Sequence, residues 1–208
     1  MNDSPANSQP NTVAPSPSDE HPSDEKLMLA FSQGSAQAFS ELFARYKQPL
    51  FGFFRRRLTD PAQAEELTQE TFLVLLRSAS RYQPRALFRT YLYAVGFKIL
   101  RAQRRKTIFH ATFIGVRSAS QDPATHDSPD AKLAIREGLS KLESIEREIL
   151  LLREFEQLSY SEIANLLRLP VNTVRSRLFR ARMALHEILA APTPQTAAAK
   201  LAQSEEHA

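Results

Sequence analysis

Apolar positions divide this chain into segments with a helical rhythm and segments with none. Residues 1–25 are rich in Pro, Ser, Asn and Asp, with almost no large apolar side chain. Such a stretch buries too little surface to offset its ordering entropy and is expected to be disordered. Beyond it, Phe39, Leu42, Phe43, Tyr46, Leu50, Phe53 and Phe54 recur at three- and four-residue intervals, the spacing of one helix face, and Pro49 is expected to kink or split that helix. Asp60-Pro61 then stands in cap-plus-first-position order. The helix it opens, 61 to about 78, places Ala64, Leu67, Thr68, Thr71, Phe72, Leu75 and Leu76 inward. After a loop around Pro84, a third helix over about 87–106 buries Phe88, Leu92, Val95 and Ile99.

The rhythm lapses over residues 107–130, which contain Asp122-Pro123 and Ser128-Pro129. A loop of that length is unusual inside a compact domain and reads as a linker. Periodicity resumes at 131–141 and at about 144–155, where Ile145, Ile149, Leu152 and Phe155 share a face. The expected fold is therefore all-α: two small helical domains, 26–106 and 131–191, joined by a flexible linker and followed by a frayed tail, 192–208.

The second domain contains the sharpest local pattern, SYSEIANLLRLPVNTVRSRLFRAR at 159–182. Ser159 and Glu162 form a capping-box pair, in which hydroxyl and carboxylate satisfy unpaired backbone N–H groups at a helix start. Tyr160, Ile163, Ala164 and Leu167 follow at helical spacing, and Leu169-Pro170 breaks the pattern. In the next helix Val171, Val174, Leu178, Ala181, Leu185 and Ile188 face inward, leaving Arg175, Ser176, Arg177, Phe179, Arg180 and Arg182 outside. A helix pair with a basic second member is the helix-turn-helix pattern that reads the DNA major groove. On periodicity alone a solvated amphipathic helix in a bundle remains the other reading.

Charge adds what periodicity leaves out. Residues 26–110 carry fifteen basic and five acidic groups, a field that attracts polyanions. On the third helix Arg89, Lys98, Arg101, Arg104, Arg105 and Lys106 are interleaved with Tyr91, Tyr93 and Phe97. This mixture of cations and rings suits single-stranded nucleic acid; the other reading is that most of these rings belong to the core. The second helix instead carries Glu65, Glu66, Gln69 and Glu70, which would repel DNA. That strip fits either docking onto a protein or a solvated face.

Enzymatic chemistry finds little support. There is no cysteine, the five histidines are scattered, and no metalloprotease, phosphate-cradling or nucleophile motif occurs, so neither cofactor nor metal is expected. The chain also lacks a signal peptide's basic start and apolar core, so a cytoplasmic protein without membrane insertion is expected.

Taken together, AFSELFARY, DPAQAEELTQETF and FRTYLY in the first domain, with SYSEIANLL and LPVNTVRSRLFRAR in the second, resemble the extracytoplasmic-function (ECF) sigma factors of bacterial RNA polymerase. Those proteins consist of regions 2 and 4 joined by a linker, here 26–106 and 131–191. The resemblance implies a non-enzymatic subunit that binds core polymerase, directs it to promoters and assists DNA melting. It implies that Glu66, Leu67, Gln69, Glu70 and Phe72 grip the β′ clamp helices, with a further contact to the β flap. For the −10 element it implies Arg81, Tyr82, Arg89, Tyr91, Tyr93, Lys98, Arg101, Arg104 and Arg105. For the −35 element it implies Asn172, Thr173, Arg175, Ser176, Arg177, Phe179 and Arg180. An anti-sigma partner is implied as well. Tyr91 replaces a common Trp, Lys98 and Ala102 replace frequent Asn and Asp, and Asn172 replaces a usual Gly. A helix-turn-helix regulator acting apart from the polymerase would account for the second domain but not for the first.

Overall fold

The computed structural model describes residues 22–114 and 130–190, and within them every regular element is helical. The expected tails and most of the expected linker lie outside the described residues.

The first unit comprises α1 (Asp24–Ser32), α2 (Ala36–Arg55), α3 (Pro61–Ser78), a 3-10 turn (Ala79–Arg81) and α4 (Phe88–Ile114). Each early helix is opened by a short polar cap. The Ser23 hydroxyl accepts from the Lys26 N–H, Ser35 from Ala38, and the Asp60 carboxylate from Ala62. Gly34, at φ +105°, makes the turn between α1 and α2 in a conformation that side chains with a Cβ resist. The core gathers Met28, Leu42, Leu50, Phe53, Phe54, Leu67, Leu75, Phe88, Leu92 and Leu100, all fully buried.

Three boundaries differ from expectation. The first helix starts at Asp24, with Ser23 as its cap, although both residues belong to a segment whose composition reads as tail. Tertiary contacts explain this. Asp24 accepts from Arg45 at 2.6 Å and from the Tyr46 hydroxyl, while the Glu25 carboxylate accepts from the Phe88 backbone N–H at 2.7 Å. Glu25 thus satisfies a free N–H at the start of α4 and complements its dipole. Second, α2 runs unbroken through Pro49, because buried Leu42 on one side and Leu50, Phe53 and Phe54 on the other hold both halves. Third, α4 continues to Ile114, eight residues past the expected end at 106 and into the segment read as linker.

The second unit comprises α5 (Asp130–Lys141), α6 (Ser144–Glu154), α7 (Tyr160–Leu167) and α8 (Val171–Ala190). Ile149, Leu152, Ile163, Val174, Leu178 and Ala181 form its core. A Cβ on Gly138 would meet Leu185 Cδ1 at 2.7 Å, so glycine permits the close approach of α5 to α8. Two residues assigned inward lie outside. Phe155 is 51% exposed, because α6 ends at Glu154 and the chain turns there. Val171 is 40% exposed at the first position of α8.

Candidate nucleic-acid and partner interfaces

The helix-turn-helix is built as the sequence indicates. Ser159 Oγ accepts from the Glu162 N–H at 3.3 Å, and the Glu162 carboxylate accepts from the Ser159 N–H at 2.7 Å. Arg168 closes α7 in the left-handed region at φ 58°, a position that favours glycine, and Leu169 N–H bonds the Ala164 carbonyl at 2.9 Å. Val174, Leu178 and Ala181 then lock α8 onto the unit, which fixes what its outer face presents.

On that face Asn172, Arg175, Ser176, Phe179 and Arg180 are exposed, with Thr173 and Arg177 half-buried. Phe179 is 65% exposed, which core packing does not explain. The arginines fall into two sets. Arg177 pairs with Glu143 at 3.3 Å, Arg180 with Glu146 at 3.1 Å, and Arg182 with Glu154 at 2.5 Å, all three carboxylates belonging to or bordering α6. Arg175 has no such pair among the described residues and lies 5.9 Å from the Tyr160 ring centre.

The α3 strip divides as well. Glu66, Gln69 and Glu70 are exposed, whereas Leu67 and Phe72 are 2% and 3% exposed and packed in the core. Phe72 lies 4.7 Å from Phe43 and 6.2 Å from Phe39, ring centre to ring centre. Leu76, assigned to the core, is 40% exposed, and Leu73 is 46% exposed. Leu73 follows Gln69 and Glu70 by four and three residues, so it continues their stripe and not the inward one. That phase was readable in the sequence. The face α3 offers is thus acidic at one end and apolar at the other.

On α4 and the turn before it, the structure separates rings from cations. Tyr82 and Tyr93 are buried and Tyr91 is half-buried. Tyr93 packs 5.4 Å from Phe53, Tyr82 lies 5.3 Å from Tyr91, and the Tyr91 and Ser78 hydroxyls are 3.1 Å apart. Burial is the main reason that the Tyr82 and Tyr93 hydroxyls are pushed up in pKa. Of the two readings of these rings, stacking on bases or packing in the core, the structure places Tyr93 and Phe97 in the core, at 4% and 7% exposure. Arg81, Lys98, Arg101, Arg104 and Arg105 remain exposed and Arg89 half-buried. The Arg104 guanidinium turns back to within 3.5 Å of the Arg57 carbonyl; burial there, with Arg57 and Arg147 adjacent, pushes its pKa down despite Glu148.

Glu162 serves two elements. Besides capping α7, it accepts from the Thr90 hydroxyl on α4. Burial works against its charge, but the bonds from Ser159 and Thr90 and the nearby Arg89 guanidinium prevail, so its pKa is held down.

Comparison with known proteins follows this division of the chain. Residues 42–107 match the family model for Sigma-70 region 2, and residues 132–185 match that for Sigma-70, region 4. The chain is 30% identical over 169 residues to the RNA polymerase sigma factor CarQ of Myxococcus xanthus, covering 78% of this chain and 95% of that one. It is 29% identical over 174 residues to the ECF RNA polymerase sigma-E factor of Haemophilus influenzae, covering 76% and 91% respectively. Its fold matches the sigma factor RpoE of Bartonella quintana, solved with the anti-sigma factor NepR, at a TM-score of 0.62 to 0.63 for that and a second such structure, CnrH with the cytosolic domain of CnrY. Those two share 23% and 24% identity with this chain, cover 75% and 82% of it, and are themselves covered to 99%.

Proposed function

Because this chain belongs to the ECF group of RNA polymerase sigma factors, we propose that its two helical units divide promoter recognition between α4 and α8, with α3 holding the polymerase. The chain binds core RNA polymerase and directs it to promoters. The observation that carries the division of labour is chemical: one chain bears an acidic-apolar face on α3, a cationic face on α4 and an arginine-aromatic face on α8.

Glu66, Gln69 and Glu70 contact the polymerase clamp helices directly, joined by the exposed Leu73 and Leu76, while Leu67 and Phe72 set the helix from within. A further contact through the second unit reaches the β flap. Arg81, Arg89, Lys98, Arg101, Arg104 and Arg105 track the backbone of the opened −10 strand, and Tyr91 at the start of α4 is the aromatic nearest to free. Tyr82 and Tyr93 support that surface from the core and become available to bases only where the strand displaces their cover. Asn172, Thr173, Arg175, Ser176, Arg177, Phe179 and Arg180 enter the −35 major groove, where a good bidentate arginine–guanine pair contributes about 1–3 kcal/mol of discrimination. Unstacking −10 bases costs a few kcal/mol, offset by capture of the extruded bases. The bond-making chemistry is the polymerase's own.

The protein acts where the polymerase does, in the cytoplasm; among the described residues no helix is long and apolar enough to cross a membrane. An anti-sigma protein is the expected regulator, as in the solved RpoE complex. The test is run-off transcription with core polymerase on genomic promoter fragments. Initiation at particular promoters supports the reading; inactivity with core enzyme, combined with tight binding of free duplex, would support a stand-alone regulator.

A further inference from the structure

Between α4 and α7 lies an open cleft of about 630 Å³, a volume in the range of small-molecule sites. Contacts between the two units set its walls. Arg57, just beyond α2, pairs with Glu148 at 2.7 Å and with Glu156 at 3.2 Å, and the Thr90 hydroxyl on α4 donates to Glu162 on α7. Lys98, Arg101 and Arg105 recur at three- and four-residue intervals, so they share the face of α4 that lines the cleft. Arg168, at the end of α7, lines the opposite wall. All four cations are exposed, and among the described residues none of them has an ion pair. The carboxylate that shares the cleft is engaged elsewhere: Glu162 Oε1 accepts from Thr90, and Oε2 accepts from the Ser159 N–H at 2.7 Å. Beside the cations, Ala94, Phe97 and Leu166 add apolar surface, and the Asn165 amide adds both a donor and an acceptor.

We propose that this cleft is a binding site for a nucleoside triphosphate, its phosphates held by Lys98, Arg101, Arg105 and Arg168 and its base set against Phe97 and Leu166. The chemistry of the lining selects that class. Four free cations converging from two helices call for a compact ligand with several negative charges, because cations left together repel one another. Arginine forks bind phosphate oxygens in pairs, which gives the site geometry as well as charge. An inorganic anion would satisfy the cations and leave the apolar surface and the Asn165 amide unused. A nucleobase uses both, since it has a flat apolar face and an edge of donors and acceptors. The Arg101 guanidinium, 6.0 Å from the Phe97 ring centre, stands where the charged and apolar parts of the cleft adjoin. Arg168 supplies an independent sign: it keeps a long cationic side chain at φ 58°, a conformation in which glycine is less strained. Asn165, Leu166 and Arg168 lie outside the residues assigned above to the −10 and −35 elements, so the site reaches beyond the strand reading of α4.

The probe is GTP with a fluorescent group on its ribose, titrated with the full-length chain at about 0.15 M salt, where charges more than about 8 Å apart are largely screened. We expect saturable binding of one nucleotide per chain, reversed by unlabelled GTP or ATP. Inorganic triphosphate, which has no base to stack, should displace the probe about tenfold less well. Arg168→Gly removes a cation at a position that favours glycine, so the melting temperature should hold or rise while nucleotide affinity falls about tenfold. The same variant should bind a random-sequence single-stranded oligonucleotide as the native chain does. Arg77→Ala, which removes an exposed cation from α3, should leave nucleotide affinity unchanged. Absence of saturable binding, or equal losses in Arg77→Ala and Arg168→Gly, overturns the site. Displacement by inorganic triphosphate as effective as that by GTP overturns its assignment to a nucleotide. Loss of both nucleotide and oligonucleotide binding in Arg168→Gly makes the cleft a part of the strand surface and overturns a separate ligand site. An Arg101→Ala chain that loses the nucleotide but keeps the oligonucleotide upholds the site and overturns the strand reading of α4 instead.

Discussion

The two helices proposed to meet DNA solve opposite problems. On α4 the rings lie inward and the cations stand free: among the described residues no ion pair holds Lys98, Arg101 or Arg105. On α8 an aromatic ring stands free and three arginines are tied to carboxylates of their own unit. Exposed ion pairs of that kind contribute about 0–1 kcal/mol. On the proposed reading of α8, their value is to hold arginine side chains extended along the face that would enter the groove, at little cost when phosphates or bases replace the carboxylates. A surface that meets regular duplex benefits from such preorganisation. A surface that meets a strand whose shape is set during opening benefits from loose cations above a firm aromatic floor.

The comparison breaks most readily at the floor. Tyr93→Ala is expected to destabilise the first unit by about 3–5 kcal/mol in urea unfolding, the usual cost of deleting a buried aromatic. Phe179→Ala should shift stability by no more than about 0.5 kcal/mol while weakening −35 duplex binding. A small stability loss from Tyr93→Ala would place that ring outside the core. Next in size, Arg175→Ala should cost about 1–3 kcal/mol of discrimination between the −35 sequence and its variants, read in competition assays. Arg101→Ala should leave that discrimination intact and lower the salt dependence of strand binding by about 0.7 in log–log slope.

Ser159→Ala removes one half of the capping box and should cost about 1 kcal/mol of thermal stability in the second unit. Glu162 adds a pH dependence whose sign follows from its lowered pKa. A carboxyl more acidic in the folded than in the unfolded state stabilises above its unfolded pKa, and that stability is lost as pH falls through the folded value. Melting temperature should therefore decline on acidification below about 4.5, and less steeply in Glu162→Gln. The smallest effect belongs to Glu146→Gln, which frees Arg180: stability should change by less than about 1 kcal/mol, with a slight gain in duplex affinity.

How much of this could be read from the chain depended on the range of the interaction. The capping box, the Asp60-Pro61 start and the inward stripe of Val174, Leu178 and Ala181 are local, and local spacing revealed them. Asp24 and Glu25 were hidden in a polar tail, since their partners Arg45, Tyr46 and Phe88 lie far along the sequence. Phe155 follows Leu152 at helical spacing, but spacing does not show that α6 stops one residue earlier. Leu67 and Phe72 illustrate the converse: the motif attracts attention to them, while their phase on α3 already places them inside. The contact of Arg57 with Glu148 and Glu156 spans about a hundred positions and obeys no period, so only the folded chain brings it into view.

The proposed division, in which α8 positions the polymerase on duplex while α4 opens and holds the strand, can be measured by transcription with reconstituted holoenzyme on two templates, one fully duplex and one with the −10 segment already unpaired. A combined Lys98→Ala/Arg101→Ala variant is expected to lose activity on duplex and to recover much of it on the pre-opened template, whereas Arg175→Ala is expected to be impaired on both. Equal loss on both templates for both variants would contradict it.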